Sequence, residues 1–223
     1  MPLNHNTKLL FYETSTLVEC TFEAAPFFKK ARDLLKPDFR TSKLVLEELN
    51  ALSSRRRRSY SKLTNYLATV TRMDEEDLFG QIEAICLNKN DCRHMKELLS
   101  FCIRKSRNPA ELKINLLSTI GRVNRHFSEL ILLIERNQAR ILISDRLNPV
   151  VFNALHPLFT NEMDRRIISN VISVSMFEYT AYLFVTKDVT DFYSKRNDIY
   201  RAVYGIDAAN PTVVIIPLQD LSV

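Results

Sequence analysis

Short apolar runs alternate with helical patterns at both ends of this chain, and this alternation restricts the fold more than any other feature. The runs that predict strands are Lys8–Tyr12, Phe39–Ser42, Arg140–Ser144, Tyr182–Thr186 and Thr212–Ile216. Strands that alternate with helices pair in parallel and need cover on both sides. We therefore expect an α/β fold, with an open parallel five-stranded sheet and helices on both faces.

The middle of the chain has a different pattern. Four consecutive arginines, Arg55 to Arg58, follow two serines, and from Tyr60 to about Arg136 the pattern is helical, with no strand-like run. Asn108 followed by Pro109 is typical of a helix start, and that helix is expected to continue to Arg136. We predict a helical insertion over residues 55–138 within an α/β core made of residues 1–54 and 139–223.

Composition excludes several functional classes. The 223 residues carry a net charge of +5, which favours polyanionic partners. Three widely spaced glycines cannot form a glycine-rich phosphate loop or a dinucleotide-binding motif, and the cysteines and histidines form no zinc pattern. No signal sequence precedes the first apolar run, and no apolar stretch is long enough to cross a membrane. We expect a cytoplasmic protein with reduced thiols and no membrane partner.

Acidic residues follow two of the predicted strands. Glu13 closes the first, and Asp188 and Asp191 follow the run Tyr182–Thr186. The carboxyl ends of parallel strands meet at one edge of a sheet, where ligand sites lie. These acids are therefore candidates for a shared site, although solvated carboxylates in turns are the alternative interpretation.

Two further acids are placed by helical geometry. In the helix expected to start at Ser42, Glu47 points away from the apolar face and Glu48 lies at its margin. In the helix expected from Glu162, Asp164 falls within the apolar arc. A carboxylate on a buried face needs a partner. The alternative for Asp164 is an acid stabilised by the helix dipole or by an arginine.

Five carboxylates in one crevice would repel one another unless a cation lay between them. Mg²⁺ or Mn²⁺ is the cation that carboxylate oxygens select when no histidine or cysteine is near. Such an ion can activate water and orient a phosphodiester, while surrounding lysines and arginines bind phosphates. This combination of charges predicts nucleic-acid cleavage.

Four sequence blocks, in order, resemble those of PIN-domain nucleases. LLFYETSTLV resembles the opening strand, TSKLVLEELN the second block, NEMDRRIISNVI the third and AYLFVTKDVTDF the fourth. The blocks cover about residues 8–53 and 140–218. The resemblance implies a five-stranded parallel sheet, one or two Mg²⁺ or Mn²⁺ ions and hydrolysis of single-stranded RNA by a metal-activated water. Homodimers are common in that family, so a homodimer is expected.

The resemblance also implies a role for each acid. Glu13, Asp164 and Asp188 are expected to hold the principal ion, Glu48 to bind it through water or orient the attacking water, and Asp191 to complete a second ion site. Hydrogen bonds from supporting residues are expected to position these carboxylates. The supporting candidates are Ser15 and Thr186.

The chain departs from the family pattern at two positions. Glu13 stands where the family usually has aspartate, and its extra methylene moves the carboxylate by more than an ångström. The spacing in KDVTDF is one residue longer than usual, so Asp188 is a surer ligand than Asp191.

Basic residues near the acids are candidates for binding RNA. They are Arg55, Arg56, Arg57, Arg58 and Lys187. A solvated basic corner is the alternative for the arginine run. The apolar run Leu130–Ile134 should be covered by the protein itself or by another chain, and is a candidate dimer contact.

Three functional hypotheses remain open from the sequence. The first is the PIN-type endoribonuclease, with room for an inhibitory protein partner. The second is a catalytically weakened PIN-like module that binds RNA or a protein partner, in which Glu13 marks lost chemistry. The third is a receiver-like module in which one aspartate is phosphorylated.

Overall fold

The computed structural model describes residues 8–35, 39–71, 74–86, 88–205 and 211–221. Within them the protein is an α/β structure that is mostly helical and contains a parallel sheet. The expectation of no signal sequence concerns residues 1–7, which lie outside the described residues. None of the described helices combines the length and apolar character needed to cross a bilayer.

The described sheet has four strands. They are β1 (Leu9–Tyr12), β2 (Phe39–Arg40), β3 (Tyr182–Thr186) and β4 (Val213–Pro217). Their order is β2-β1-β3-β4, and every neighbouring pair is parallel. Each strand occupies a segment for which the apolar runs predict one.

The predicted fifth strand at Arg140–Ser144 is wrong for the residues described. A single helical turn ends at Ile141, and Leu142 makes only an isolated parallel bridge to Thr41, just beyond β2. Two backbone hydrogen bonds hold this bridge: Thr41 N to Ile141 O at 2.9 Å and Ile143 N to Thr41 O at 2.8 Å. A short apolar run is consistent with a strand or with a helical turn, and here the helical turn uses the first part of the segment.

Ten α-helices occur among the described residues. They are α1 (Thr14–Glu19), α2 (Phe28–Leu34), α3 (Lys43–Thr69), α4 (Glu75–Ile85), α5 (Lys89–Ile103), α6 (Pro109–Arg136), α7 (Gln138–Ile141), α8 (Pro149–Ala154), α9 (Glu162–Glu178) and α10 (Arg196–Tyr204). The predicted caps are present, because the Ser42 side chain accepts from Val45 N at 3.3 Å and Asn108 from Glu111 N at 2.9 Å. Helix α6 has the predicted limits.

The protein covers both faces of the sheet at its centre. Consecutive strand residues point to opposite faces, yet Phe11 and Tyr12 of β1 and Phe184 and Val185 of β3 are all buried. Buried residues of the sheet and of α3 to α6 belong to one hydrophobic core. Helix α3 continues without a break past residue 54, so the predicted start of the insertion lies inside a helix. The division into an α/β core and a helical insertion stays a prediction.

Candidate carboxylate site

The site lies where the order of the strands reverses. β1 and β3 are neighbours, but the chain leaves β1 toward β2 on one side and later reaches β4 on the other. In open parallel sheets, this crevice beyond the carboxyl ends is where ligands bind. Glu13 directly follows β1, and Lys187 and Asp188 directly follow β3.

A cavity of about 720 Å³ opens at this point, and all five acids singled out from the sequence line it. They come from the end of β1, the second turn of α3, the start of α9 and the turn after β3. The acids are Glu13, Glu48, Asp164, Asp188 and Asp191. The fold therefore brings together residues that are up to 178 positions apart in sequence.

Glu13 is buried and caps helix α1. Its carboxylate accepts hydrogen bonds from Ser15 N at 2.6 Å, Thr16 N at 3.1 Å and Lys187 N at 3.3 Å, and from the Ser15 hydroxyl. Burial raises the pKa of Glu13, and the hydrogen bonds from Ser15 oppose that rise. The longer glutamate side chain can fold back over the first turn of its own helix, and both of its oxygens therefore have protein donors.

Glu48 lies on the side of α3 that faces the cavity. It is half-buried and accepts a hydrogen bond from the Thr14 hydroxyl, which links α3 to the start of α1. Its neighbour Glu47 is exposed and lies 3.8 Å from the ammonium of Lys43. The two adjacent glutamates thus have different surroundings, and only Glu48 lines the cavity.

Asp164 is a second acid whose ionisation the cavity changes. Burial is the largest cause, and the negative charges of Glu48, Glu13 and Asp191 add to it, so that the pKa of Asp164 rises to about 7. A hydrogen bond with Asn161 acts in the opposite direction. Without a cation, this carboxyl is close to half-protonated at neutral pH.

Asp188 and Asp191 lie on the turn that follows β3. The Asp188 side chain accepts from Asp191 N at 2.8 Å and caps the short π-helical turn Val189–Tyr193. Asp188 N donates to the Thr186 hydroxyl at 2.8 Å. The Asp191 carboxylate is 3.2 Å from the Lys195 ammonium. Both aspartates therefore have local partners within the turn.

Cations surround the acids, but they are not equivalent. Lys187 forms an ion pair with the buried Glu19, which also lines the cavity. Lysine and glutamate here neutralise each other beside the five acids. Sequence reasoning missed Glu19, although its position four residues after Ser15 places both on one face of α1.

The arginine run divides into two pairs. Arg55 and Arg56 line the cavity, and both lie beside the buried Asp91, Arg55 in an ion pair and Arg56 with its Nε at 3.8 Å. Arg57 and Arg58 are exposed on the same helix. The first pair is placed to meet an anion in the cavity.

His94 of α5 is a further cavity residue that sequence reasoning missed. It is buried, and one ring nitrogen lies 2.6 Å from the Tyr60 hydroxyl. Burial, with the charges of Arg56 and Lys187 adding to it, lowers the pKa of His94 well below its usual value. The imidazole is therefore neutral at physiological pH. No local sequence signal indicates that His94 lies near the acids, because α5 reaches the cavity only through tertiary packing.

The carboxylates fit a hard divalent ion by donor type and by charge. Their oxygens are the ligands that Mg²⁺ and Mn²⁺ prefer, and the negative charges of neighbouring acids contribute, after burial, to the raised pKa of Asp164. Across the described ranges, however, no three His, Cys, Asp or Glu side chains are arranged to hold a metal ion. Glu13, Glu48 and Asp188 instead accept hydrogen bonds from Ser15, Thr14 and Asp191.

The sequence matches no protein-family model, and no curated protein or solved structure is significantly similar to it. Membership of the PIN-domain family therefore stays a prediction.

Proposed function

We propose that this chain is a metal-dependent endoribonuclease of PIN type that hydrolyses phosphodiester bonds of single-stranded RNA. The observation that carries the proposal is the convergence of five acids in one cavity at the switch point of the sheet.

In this proposal the acids hold one or two Mg²⁺ or Mn²⁺ ions. Glu13, Asp164 and Asp188 bind the principal ion, Glu48 binds it through water or orients the attacking water, and Asp191 completes a second site. A bound divalent ion would lower the pKa of the attacking water and offset charge on the phosphate. The hydrogen bonds from Ser15 and from Lys187 N fix the Glu13 carboxylate at the sheet edge.

The cations of the cavity bind the substrate phosphates in this proposal. Arg55, Arg56 and Lys187 line the same cavity as the acids, and the chain carries a net charge of +5. A cationic surface around an anionic pocket favours a polyanion whose scissile phosphate reaches the acids. Single-stranded RNA as the substrate is implied by the family resemblance.

Assembly and location follow the same proposal. A homodimer would cover Leu132 and Leu133 of α6, which are 45% and 37% exposed. The location is the cytoplasm, and the free state of all four cysteines supports it.

A cleavage assay tests the proposal. End-labelled single-stranded RNA is incubated with the protein in Mn²⁺ or in EDTA, and Glu48→Gln and Asp164→Asn are compared with Glu47→Gln. We expect cutting only with Mn²⁺, a loss of about 100-fold or more in the first two variants, and parental activity in Glu47→Gln, whose side chain is exposed. Equal activity of Asp164→Asn and the parent would contradict the catalytic assignment.

One observation favours the second candidate, a catalytically weakened module that binds RNA or a protein partner. Both Glu13 oxygens already accept hydrogen bonds from α1, and Glu48 accepts from Thr14. If these bonds outcompete a cation, the protein binds RNA without cutting it. Isothermal titration with Mn²⁺ separates the two candidates, because the weakened module gives no binding heat under conditions where RNA still binds.

A further inference from the structure

A second cavity, of about 830 Å³, lies between α4, α5 and the turn after α1. Its volume is within the range of ~300–1,000 Å³ that bound small molecules occupy. None of the five acids of the carboxylate site and none of the four consecutive arginines lines it. It belongs mainly to the helical segment for which the family resemblance offers no role.

This cavity adjoins the carboxylate cavity. Three residues line both: Phe22, Arg93 and Glu97. Phe22 is buried, and its ring makes edge contacts with His94 at 5.5 Å and with Phe101 at 5.8 Å, so it forms a fixed wall between the two spaces. A chain-like ligand leaving the acids past Arg93 would enter the second cavity directly.

One face of α5 supplies the second cavity with positive charge. Lys89, Arg93, Lys96 and Arg104 line it, and at 100° per residue they fall within about 80° of the helix circumference. The row is about 22 Å long at 1.5 Å per residue. Lys96 is paired with Glu83. Among the residues that the structure describes, the other three cations have no carboxylate partner.

Apolar residues line part of the remaining wall, alongside Glu83, Glu97, Asn88 and Ser100. Phe79 is half-buried there, with the Lys96 ammonium 5.6 Å from the centre of its ring. Phe22 closes the side toward the acids. Aromatic rings together with a row of cations are the combination that binds single-stranded nucleic acid, because the rings stack on bases and the cations meet phosphates.

We propose that the second cavity binds the nucleotides that flank the scissile phosphate of single-stranded RNA. The row on α5 holds the phosphates, and the half-buried Phe79 receives a base. This inference rests on the proposed function and extends it, since it assigns substrate binding to the helical segment. Double-stranded RNA does not fit, because its bases are stacked within the helix and are not free to enter a cavity.

Binding of fluorescent oligouridines tests the inference. A tetranucleotide and a dodecanucleotide are titrated in EDTA over a range of salt concentrations. The proteins compared are the parent, the double variant Lys89→Gln/Arg104→Gln and the control variant Arg136→Gln. Both replaced side chains are exposed at the two ends of α5, and Arg136 is exposed at the end of α6 and lines neither cavity. Losing two phosphate contacts should reduce the slope of log K against log salt by about 1.4 for the dodecanucleotide.

The aromatic contribution has its own variant. Phe79→Leu keeps apolar volume but removes the ring, and we expect it to weaken dodecanucleotide binding about fivefold or more. Phe177→Leu, at an exposed aromatic position near the far end of α9, is the control and should bind like the parent. The half-buried Cys92 also lines the cavity, so bound dodecanucleotide should slow its alkylation by N-ethylmaleimide, as measured by peptide mass spectrometry.

The outcomes separate this inference from the proposed function. If the parent cleaves RNA with Mn²⁺ but the α5 and Phe79 variants bind the dodecanucleotide unchanged, the second cavity is not the binding site and the nuclease proposal stands. If the variants bind weakly as expected but no cleavage occurs, the binding site stands without the nuclease. The inference would also be overturned if double-stranded RNA or an unrelated protein slowed the alkylation of Cys92 and the dodecanucleotide did not.

Discussion

The charge of Asp164 should destabilise the protein when no cation is bound. Its pKa is about 7 in the folded protein against an ordinary value of 3.8, a rise of about three units. At ~1.36 kcal/mol per unit the full effect is ~4 kcal/mol. Water still reaches this half-buried carboxyl and screens the repulsion, so we expect ~2 kcal/mol.

The sign of the pH dependence follows from linkage. Below about pH 4 both the folded and the unfolded chain carry the proton on Asp164, so its contribution is zero. Between about pH 4 and pH 7 the unfolded chain loses that proton first, and the stability of the folded state therefore falls as pH rises. Above about pH 7 the destabilisation caused by Asp164 has reached its full value and no longer changes with pH.

Asp164→Asn removes this penalty, so the variant should be more stable than the parent in EDTA. We expect a gain of ~2 kcal/mol at pH 8 and ~1 kcal/mol or less at pH 5. Urea unfolding followed by circular dichroism measures both values. Glu162→Gln, in the same helical turn but exposed, is the matched control and should show a much smaller dependence on pH.

Mn²⁺ should reverse the order of stabilities. A cation at one hundred times its dissociation constant stabilises the parent by ~2.7 kcal/mol, and Asp164→Asn should gain far less. The reasoning is refuted if Asp164→Asn is less stable than the parent at pH 8 in EDTA, or if the difference between them is the same at pH 5.

Three further predictions concern stability. Asp91→Asn leaves two neighbouring arginines without their counter-charge and should lower the free energy of unfolding by ~3–5 kcal/mol, as measured with urea. The control Glu129→Gln removes one partner of an exposed pair and should lower it by less than ~1 kcal/mol; similar losses in the two variants would contradict this prediction. Because the pKa of His94 is lowered, stability should fall as pH drops below about 6.5, and His94→Phe should flatten that part of the profile. Asn108→Ala removes the cap of α6 and should lower the free energy of unfolding by ~1 kcal/mol, while Asn108→Asp should not.

Local features of the fold could be predicted from the sequence because their causes are local. Ser42 and Asn108 cap helices through bonds that span three residues, and the limits of α6 follow from Asn108 and its periodicity. The placement of Glu47 outside and Glu48 at the cavity likewise needs only the helical angle.

Features that depend on tertiary packing could not be predicted. The bridge at Leu142 replaces a strand because the preceding residues complete a helical turn, and a short apolar run does not distinguish the two. The bonds from Glu13 to α1 depend on side-chain conformation, and the pairing of Lys187 with Glu19 joins segments 168 residues apart. The second cavity depends on how α4 and α5 pack against the turn after α1.

The central claim is that acids from separate elements share a divalent cation at the edge of the sheet. Anomalous diffraction from crystals soaked in Mn²⁺ tests it most directly. The account predicts a peak within ligand distance, about 2.0–2.6 Å, of at least two carboxylates among Glu13, Asp164 and Asp188. Full Mn²⁺ occupancy at other sites, with those carboxylates still bonded to their present partners, would contradict it.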